Sequence, residues 1–112
     1  MAKRVVDKDH LKYVTTLPCI VCKAGHTSKL KTVQAHHLLK PYSGSRGASL
    51  KAGDDNVIPL CAYHHMQLHT KHGTESNFFT FYGMPSDTGQ RYAKQLWKEK
   101  TIQEEIDTDL PF

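Results

Sequence analysis

Cysteine is scarce in this chain and odd in number, three in 112 residues. That count excludes the fully paired disulfide framework of many small secreted domains, and free cysteines in a reducing compartment more often bind metal. No stretch approaches the roughly 18 apolar residues of a membrane span. The opening Met-Ala-Lys-Arg-Val-Val-Asp-Lys8 lacks the apolar run of a signal peptide. The expectation is a cytoplasmic protein with no membrane association. There is no internal repeat and no low-complexity segment. Hydrophobic residues make up 38% of the chain, which allows one domain with a thin core, a size class that often leans on a metal for stability.

Basic residues are missing from the last twelve positions, which carry Glu104, Glu105, Asp107 and Asp109. Residues 1–100 hold all fifteen Lys and Arg against seven Asp and Glu, an excess of eight positive charges. The expected organisation is therefore a basic domain over 1–100 and an acidic tail over 101–112, mobile or docked on a basic surface. A basic body suits a polyanionic partner, although a lysine-rich solvated surface gives the same count.

Pattern and punctuation predict a helix from Asp7 to Leu17, with Leu11, Val14 and Tyr13 facing inward and Pro18 closing it. Cys19-Ile-Val-Cys22 reads as a knuckle-like turn. Short strands are expected at Val33–Leu38 and Val57–Leu60. Between them, Pro41 to Gly53 holds four glycines or prolines and three serines, a loop. Ala62–Lys71 reads as a helix with Gly73 at its C-cap. Thr74 or Ser76 caps another through Phe78, Phe79 and Tyr82, and Asp87 a last one through Tyr92, Leu96 and Trp97. These aromatic and aliphatic residues at helical spacing are assigned to the core rather than to base stacking.

Eight histidines are present, five of them at 36, 37, 64, 65 and 69. Imidazole binds divalent metals and titrates near neutrality, so such clustering marks site candidates. Cys19-x-x-Cys22 and Cys61-x-x-His64 are two hooks that together supply the four ligands of a tetrahedral structural zinc. About 40 residues separate them, which excludes the classical two-cysteine, two-histidine finger. A redox Cys-x-x-Cys lacks its βαβ context, and buried thiols remain the plain reading. On a helix His64 and His65 diverge by about 100°, whereas His65 and His69, at i and i+4, share a face and can grip a second metal. His72 lies on the same stripe and ranks below His69. The zinc-protease motif needs a glutamate after the first histidine, and Met66 stands there. His10 and His26 are expected at the surface, His26 as a reserve zinc ligand. Gly44-Ser-Arg-Gly47 is not followed by Gly-Lys-Ser/Thr and is no nucleotide-binding loop.

Gln34-Ala-His-His-Leu-Leu followed by Gly53-Asp-Asp-Asn-Val-Ile-Pro-Leu-Cys-Ala-Tyr-His-His resembles the His–Asn–His pattern of HNH endonucleases. The resemblance covers residues 17–83. His69-x-x-x-Gly73-x-Glu75-x-x-Phe78 is also similar to small phage HNH proteins linked to recombination, for which the compartment is the host cytoplasm. The resemblance implies an α+β fold with a ββα-metal (His-Me finger) core, stapled by zinc on Cys19, Cys22, Cys61 and His64 and flanked by helices. It further implies a DNA endonuclease with His37 as general base, Asn56 bracing the loop, and a single catalytic metal on His36, His65 and His69. Many members carry aspartate where His36 stands. An all-nitrogen set suits transition metals better than magnesium, so Mg2+, Mn2+, Ni2+ and Zn2+ all stay open. Phosphodiester hydrolysis needs an activated water, charge neutralisation and leaving-group help, which a neutral histidine and one metal can supply. Lys40, Arg46 and Lys51, in or beside the loop, are candidate phosphate contacts. An RNA-directed nuclease and a non-catalytic zinc module that binds nucleic acid or protein are the alternatives.

Overall fold

The structure, a computed structural model, describes residues 5–29, 32–42 and 52–109, with side chains through residue 100. Helix α1 spans Lys8–Thr15. Asp7 caps it from an extended conformation, its side chain accepting the His10 amide at 3.0 Å, which satisfies one of the orphan donors of the first turn. His10 and Val14 are buried and Leu11 packs beside them, whereas Tyr13, expected inside, is 41% exposed. The Cys19–Cys22 segment is tighter than a knuckle: it forms a helical turn, α2, over Ile20–Lys23, with Val21 buried.

Strands β1 (Val33–His37) and β2 (Val57–Cys61) pair antiparallel, Val33 opposite Cys61 and His36 opposite Ile58. All five residues of β2 are buried. Alternation sends Val57 toward Val14 and Leu96, and Ile58 and Leu60 toward Phe78, Phe79 and Leu68. Residues on one face of β1 are therefore Gln34 and His36, and His37 projects from the other.

Helix α3 (Ala62–Gln67) starts directly after β2. Its last turn widens into a π-helical turn over Leu68–His72, closed by the Gly73 amide donating to the Leu68 carbonyl at 2.7 Å. Gly73 has φ +79°, a left-handed conformation that a side chain would resist. Helix α4 spans Glu75–Phe81 with Thr74 as its cap, and α5 spans Thr88–Asp109. The final helix thus runs beyond Trp97, through most of the segment expected to be a separate tail. Nothing between Gln90 and Asp109 is Gly or Pro, and the Lys, Glu and Gln there are strong helix formers.

Phe78 and Phe79 are fully buried and dominate the larger core, each contributing about 1.5–3 kcal/mol of apolar burial. A smaller cluster of Val14, Val57 and Leu96 joins it through Tyr92. At the start of α5, a Cβ on Gly89 would lie 3.0 Å from Phe79 and 3.2 Å from Leu38, so the helix reaches the core only because that side chain is absent. No helix among the described residues is long and apolar enough to cross a membrane.

Candidate metal centres

Two groups of metal-ligating side chains converge among the described residues: Cys19, Cys22, Cys61 with His64, and His36, His65 with His69. In the first, α2 brings Cys19 and Cys22 against the β2–α3 junction that carries Cys61 and His64. Cys22 Sγ and Cys61 Sγ lie 3.8 Å apart, and His64 Nδ1 lies 3.6 Å from Cys19 and Cys22 and 3.2 Å from Cys61. A tetrahedron with Zn–S of about 2.3 Å and Zn–N of about 2.0 Å has edges of about 3.8 Å and 3.5 Å. The donor set and its spacing fit a metal ion such as zinc. Burial pushes the Cys19 thiol up to about 11, the direction that a bound cation reverses by stabilising thiolate. Burial would also raise Cys61, but hydrogen bonds led by the Ser28 hydroxyl, 3.1 Å away, hold it below its ordinary value. His26 is exposed, with its ring tilted against that of Tyr82, outside this group.

The second group is built on the Gln34/His36 face of β1, on His65 of α3 and on His69 of the π-helical turn that follows. His36 Nδ1 lies 3.1 Å from His65 Nε2, and the His69 ring is 5.3 Å from that of His36 and 4.9 Å from that of His65. Outer partners define the proton positions. His36 Nε2–H donates to Glu75 Oε2 at 3.0 Å, and His65 Nδ1–H donates to Gln34 Oε1 at 2.6 Å. With those two donors the facing nitrogens, 3.1 Å apart, both present lone pairs, an arrangement that suits a shared proton or a metal ion. Two imidazole nitrogens about 2.0–2.1 Å from one ion sit roughly 3 Å apart at a right angle, and His69 supplies a third. Burial, then the neighbouring His36, His69 and His37, push His65 down to about 4, so it is a neutral donor at pH 7. His69, more exposed, is lowered by the same first cause. His72 is not part of the group: its ring packs on Phe78 and Phe81.

His37 leaves β1 on the opposite face, with Nε2 2.8 Å from Asp54 Oδ1. Asp54 is buried, and its other oxygen accepts the Asp7 amide at 2.8 Å. Asn56 is 1% exposed. Its Oδ1 accepts the Tyr42 amide, its carbonyl accepts the Leu38 amide, and its Nδ2 donates to Asp55. It therefore pins together the two chain segments that enter and leave residues 43–51.

Residues 2–103 match a family described as a protein of unknown function, DUF968. The chain belongs to the DUF968 family. A stretch of 68 residues is 35% identical to the uncharacterized protein YdfU of Escherichia coli (strain K12), covering 61% of this chain and 17% of that protein. The chain thus spans about a sixth of that relative's length. No solved structure matches it.

Of the phosphate-contact candidates in this DUF968 chain, Lys40 is exposed, whereas Arg46 and Lys51 lie outside the described residues. His10, expected at the surface, is fully buried edge-on to Trp97, because α5 continues far enough to cover α1. Nothing in the sequence alone marks Gln34, Asp54 or Glu75 as the partner of a histidine. Each is an ordinary polar residue in its own segment, and only the pairing of β1 with β2 and the packing of α4 against the end of β1 bring it to a histidine.

Proposed function

We propose that this DUF968 chain is a metal-dependent endonuclease of the HNH type that hydrolyses DNA phosphodiester bonds. In this reading β1, β2 and α3 form a ββα-metal core, and a structural zinc on Cys19, Cys22, Cys61 and His64 holds the start of α3 against α2. The observation that carries the reading is the convergence of His36 Nδ1, His65 Nε2 and His69; the next residue of β1, His37, has its ring anchored to a buried carboxylate.

His36, His65 and His69 would hold the catalytic ion. Bound there, a divalent cation would supply charge neutralisation on the phosphate and help for the leaving oxygen. His37 removes the proton from the attacking water. With Nε2–H committed to Asp54, Nδ1 is its basic nitrogen, and the carboxylate stabilises the imidazolium formed. Asn56 ties Tyr42 and Leu38 to the start of β2, and Lys40, Arg46 and Lys51 are the candidate phosphate contacts. Three imidazoles favour a transition metal over magnesium. The excess of basic residues before position 101 supports a nucleic-acid substrate bound mainly through phosphates.

The test is incubation of the pure protein with plasmid DNA and with RNA, in Mg2+, Mn2+, Ni2+ or Zn2+ and in a chelator. Metal-dependent nicking that is lost in His65→Ala supports the reading. Cleavage of RNA alone redirects the substrate. Binding without cleavage in every metal removes the catalytic role and leaves a zinc-stabilised binding module.

A further inference from the structure

A lone acid in the first turn of a helix is ordinarily a solvated carboxylate facing the positive end of the dipole. Glu75 is in the first turn of α4, yet it is 2% exposed and turned inward against the end of β1. Three N–H groups meet it there. His36 Nε2 and the Leu39 amide each lie 3.0 Å from Oε2, and the Lys40 amide lies 3.2 Å from Oε1. Burial alone would raise this carboxyl, but the His36, Leu39 and Lys40 hydrogen bonds hold it below its ordinary range.

The chemistry of that pocket admits one kind of side chain. All three surrounding groups are donors, and a carboxylate is acceptor-only on both oxygens. An amide of the same shape would turn an NH2 toward a backbone N–H. The backbone amides cannot rotate away, since Leu38 and Lys40 are themselves held, by the Asn56 carbonyl and by Gln90 respectively. The ring is therefore read by a fixed acceptor. With its Nε2–H in that acceptor, His36 has one remaining nitrogen, and it faces His65 and His69.

We infer that Glu75 is the positioning residue of the three-histidine site: by accepting His36 Nε2–H with the Leu39 and Lys40 amides, it locks His36 with Nδ1 toward His65 and His69. The inference deepens the reading of those histidines as the catalytic-metal ligands and rests on it. It also makes the ion's affinity depend on where α4 sits. Ligand His69 and anchor Glu75 are joined by the wide turn ending at Gly73, so the two are set by one short stretch of backbone.

Outer carboxylate partners of a metal-bound histidine are worth about 10–100-fold in metal affinity. Titration of Ni2+ into the zinc-loaded full chain should show one site that is lost in His65→Ala and weakened by about that factor in Glu75→Gln. Zinc at the Cys3His group and the circular dichroism of Glu75→Gln should match the wild type. A role confined to stability would lower the melting temperature and leave the Ni2+ affinity of the folded protein alone. A wild-type measurement stands beside this one in case Glu75→Gln fails to fold. With Cd2+ at the site and 15N-labelled histidine, cadmium–nitrogen coupling should appear at His36 Nδ1 and His65 Nε2. Coupling through His36 Nε2, or a Glu75→Gln affinity within twofold of wild type, overturns the inference. Absence of any Ni2+ site sensitive to His65→Ala overturns it together with the three-histidine reading. A confirmed Glu75 effect in a protein that never cuts nucleic acid leaves the inference standing and sinks the nuclease alone.

Discussion

His37 Nε2 and Asp54 Oδ1 meet at 2.8 Å across seventeen residues of chain, with the aspartate almost wholly buried. A buried carboxylate that accepts a ring N–H fixes the tautomer of that ring and leaves the other nitrogen basic. The same carboxylate accepts the Asp7 amide, so the partner of His37 is itself held by the segment that begins α1.

If His37 is the general base, His37→Ala should cut plasmid cleavage by about 10²–10⁴-fold while metal content and DNA affinity stay near wild type. Asp54→Asn should lower the maximal rate by a smaller factor and leave the Michaelis constant alone. Single-turnover nicking assays at saturating metal measure both. Full activity in His37→Ala would reassign the base.

The Cys3His group predicts a folding dependence rather than an activity dependence. A structural metal contributes folding free energy directly. If zinc fills the Cys3His group, Cys19→Ser or Cys61→Ser should lose it together with the cooperative thermal transition, and a strong chelator should do the same to wild type. Elemental analysis and circular dichroism melts read the outcome. A well-folded, metal-free Cys61→Ser protein would contradict it.

His10 makes a pH prediction. It is fully buried, both ring nitrogens lack a hydrogen-bond partner among the described residues, and burial lowers its pKa. In the unfolded chain it titrates near the ordinary histidine value of about 6.5. As pH falls below that value the unfolded state takes up the proton first, so stability drops with it. His64, His65, His69 and His72 are shifted the same way, and each adds to the loss. Replacing His10 with phenylalanine keeps the ring against Trp97 and removes the ionisable group. Urea midpoints at pH 7 and pH 5 should differ less in His10→Phe than in wild type, and an unchanged difference would show that His10 is not a contributor.

Gly89→Ala should destabilise the protein, although glycine to alanine inside a helix is normally worth about 0.8–1.0 kcal/mol of stabilisation. The new methyl would sit 3.0 Å from the Phe79 ring and 3.2 Å from Leu38, both fully packed. Overpacking of this kind costs about 1–3 kcal/mol, which outweighs the propensity gain. A rise in melting temperature would mean that α5 shifts to make room.

Much of this arrangement can be read from the chain because the relevant spacings are local. Two cysteines three apart form a hook whatever surrounds them, and so do Cys61 and His64; with no other cysteine present, the hooks have only each other. His65 and His69 share a face because a helix repeats every 3.6 residues, and Gly73 marks the turn that only a positive φ closes. The strands fall within one residue of the ranges expected from the sequence, Val33–Leu38 and Val57–Leu60. What required the tertiary structure is everything that depends on a partner distant in sequence. Gln34, Asp54 and Glu75 look like solvated polar residues until strand pairing and the packing of α4 place a ring nitrogen within 3.0 Å of each. His10 looks like a surface histidine until α5 lays Trp97 across it. Side-chain identity and periodicity decide which residues are able to bind an ion; which nitrogen of each histidine faces it is decided by hydrogen-bond acceptors that only the fold brings into reach.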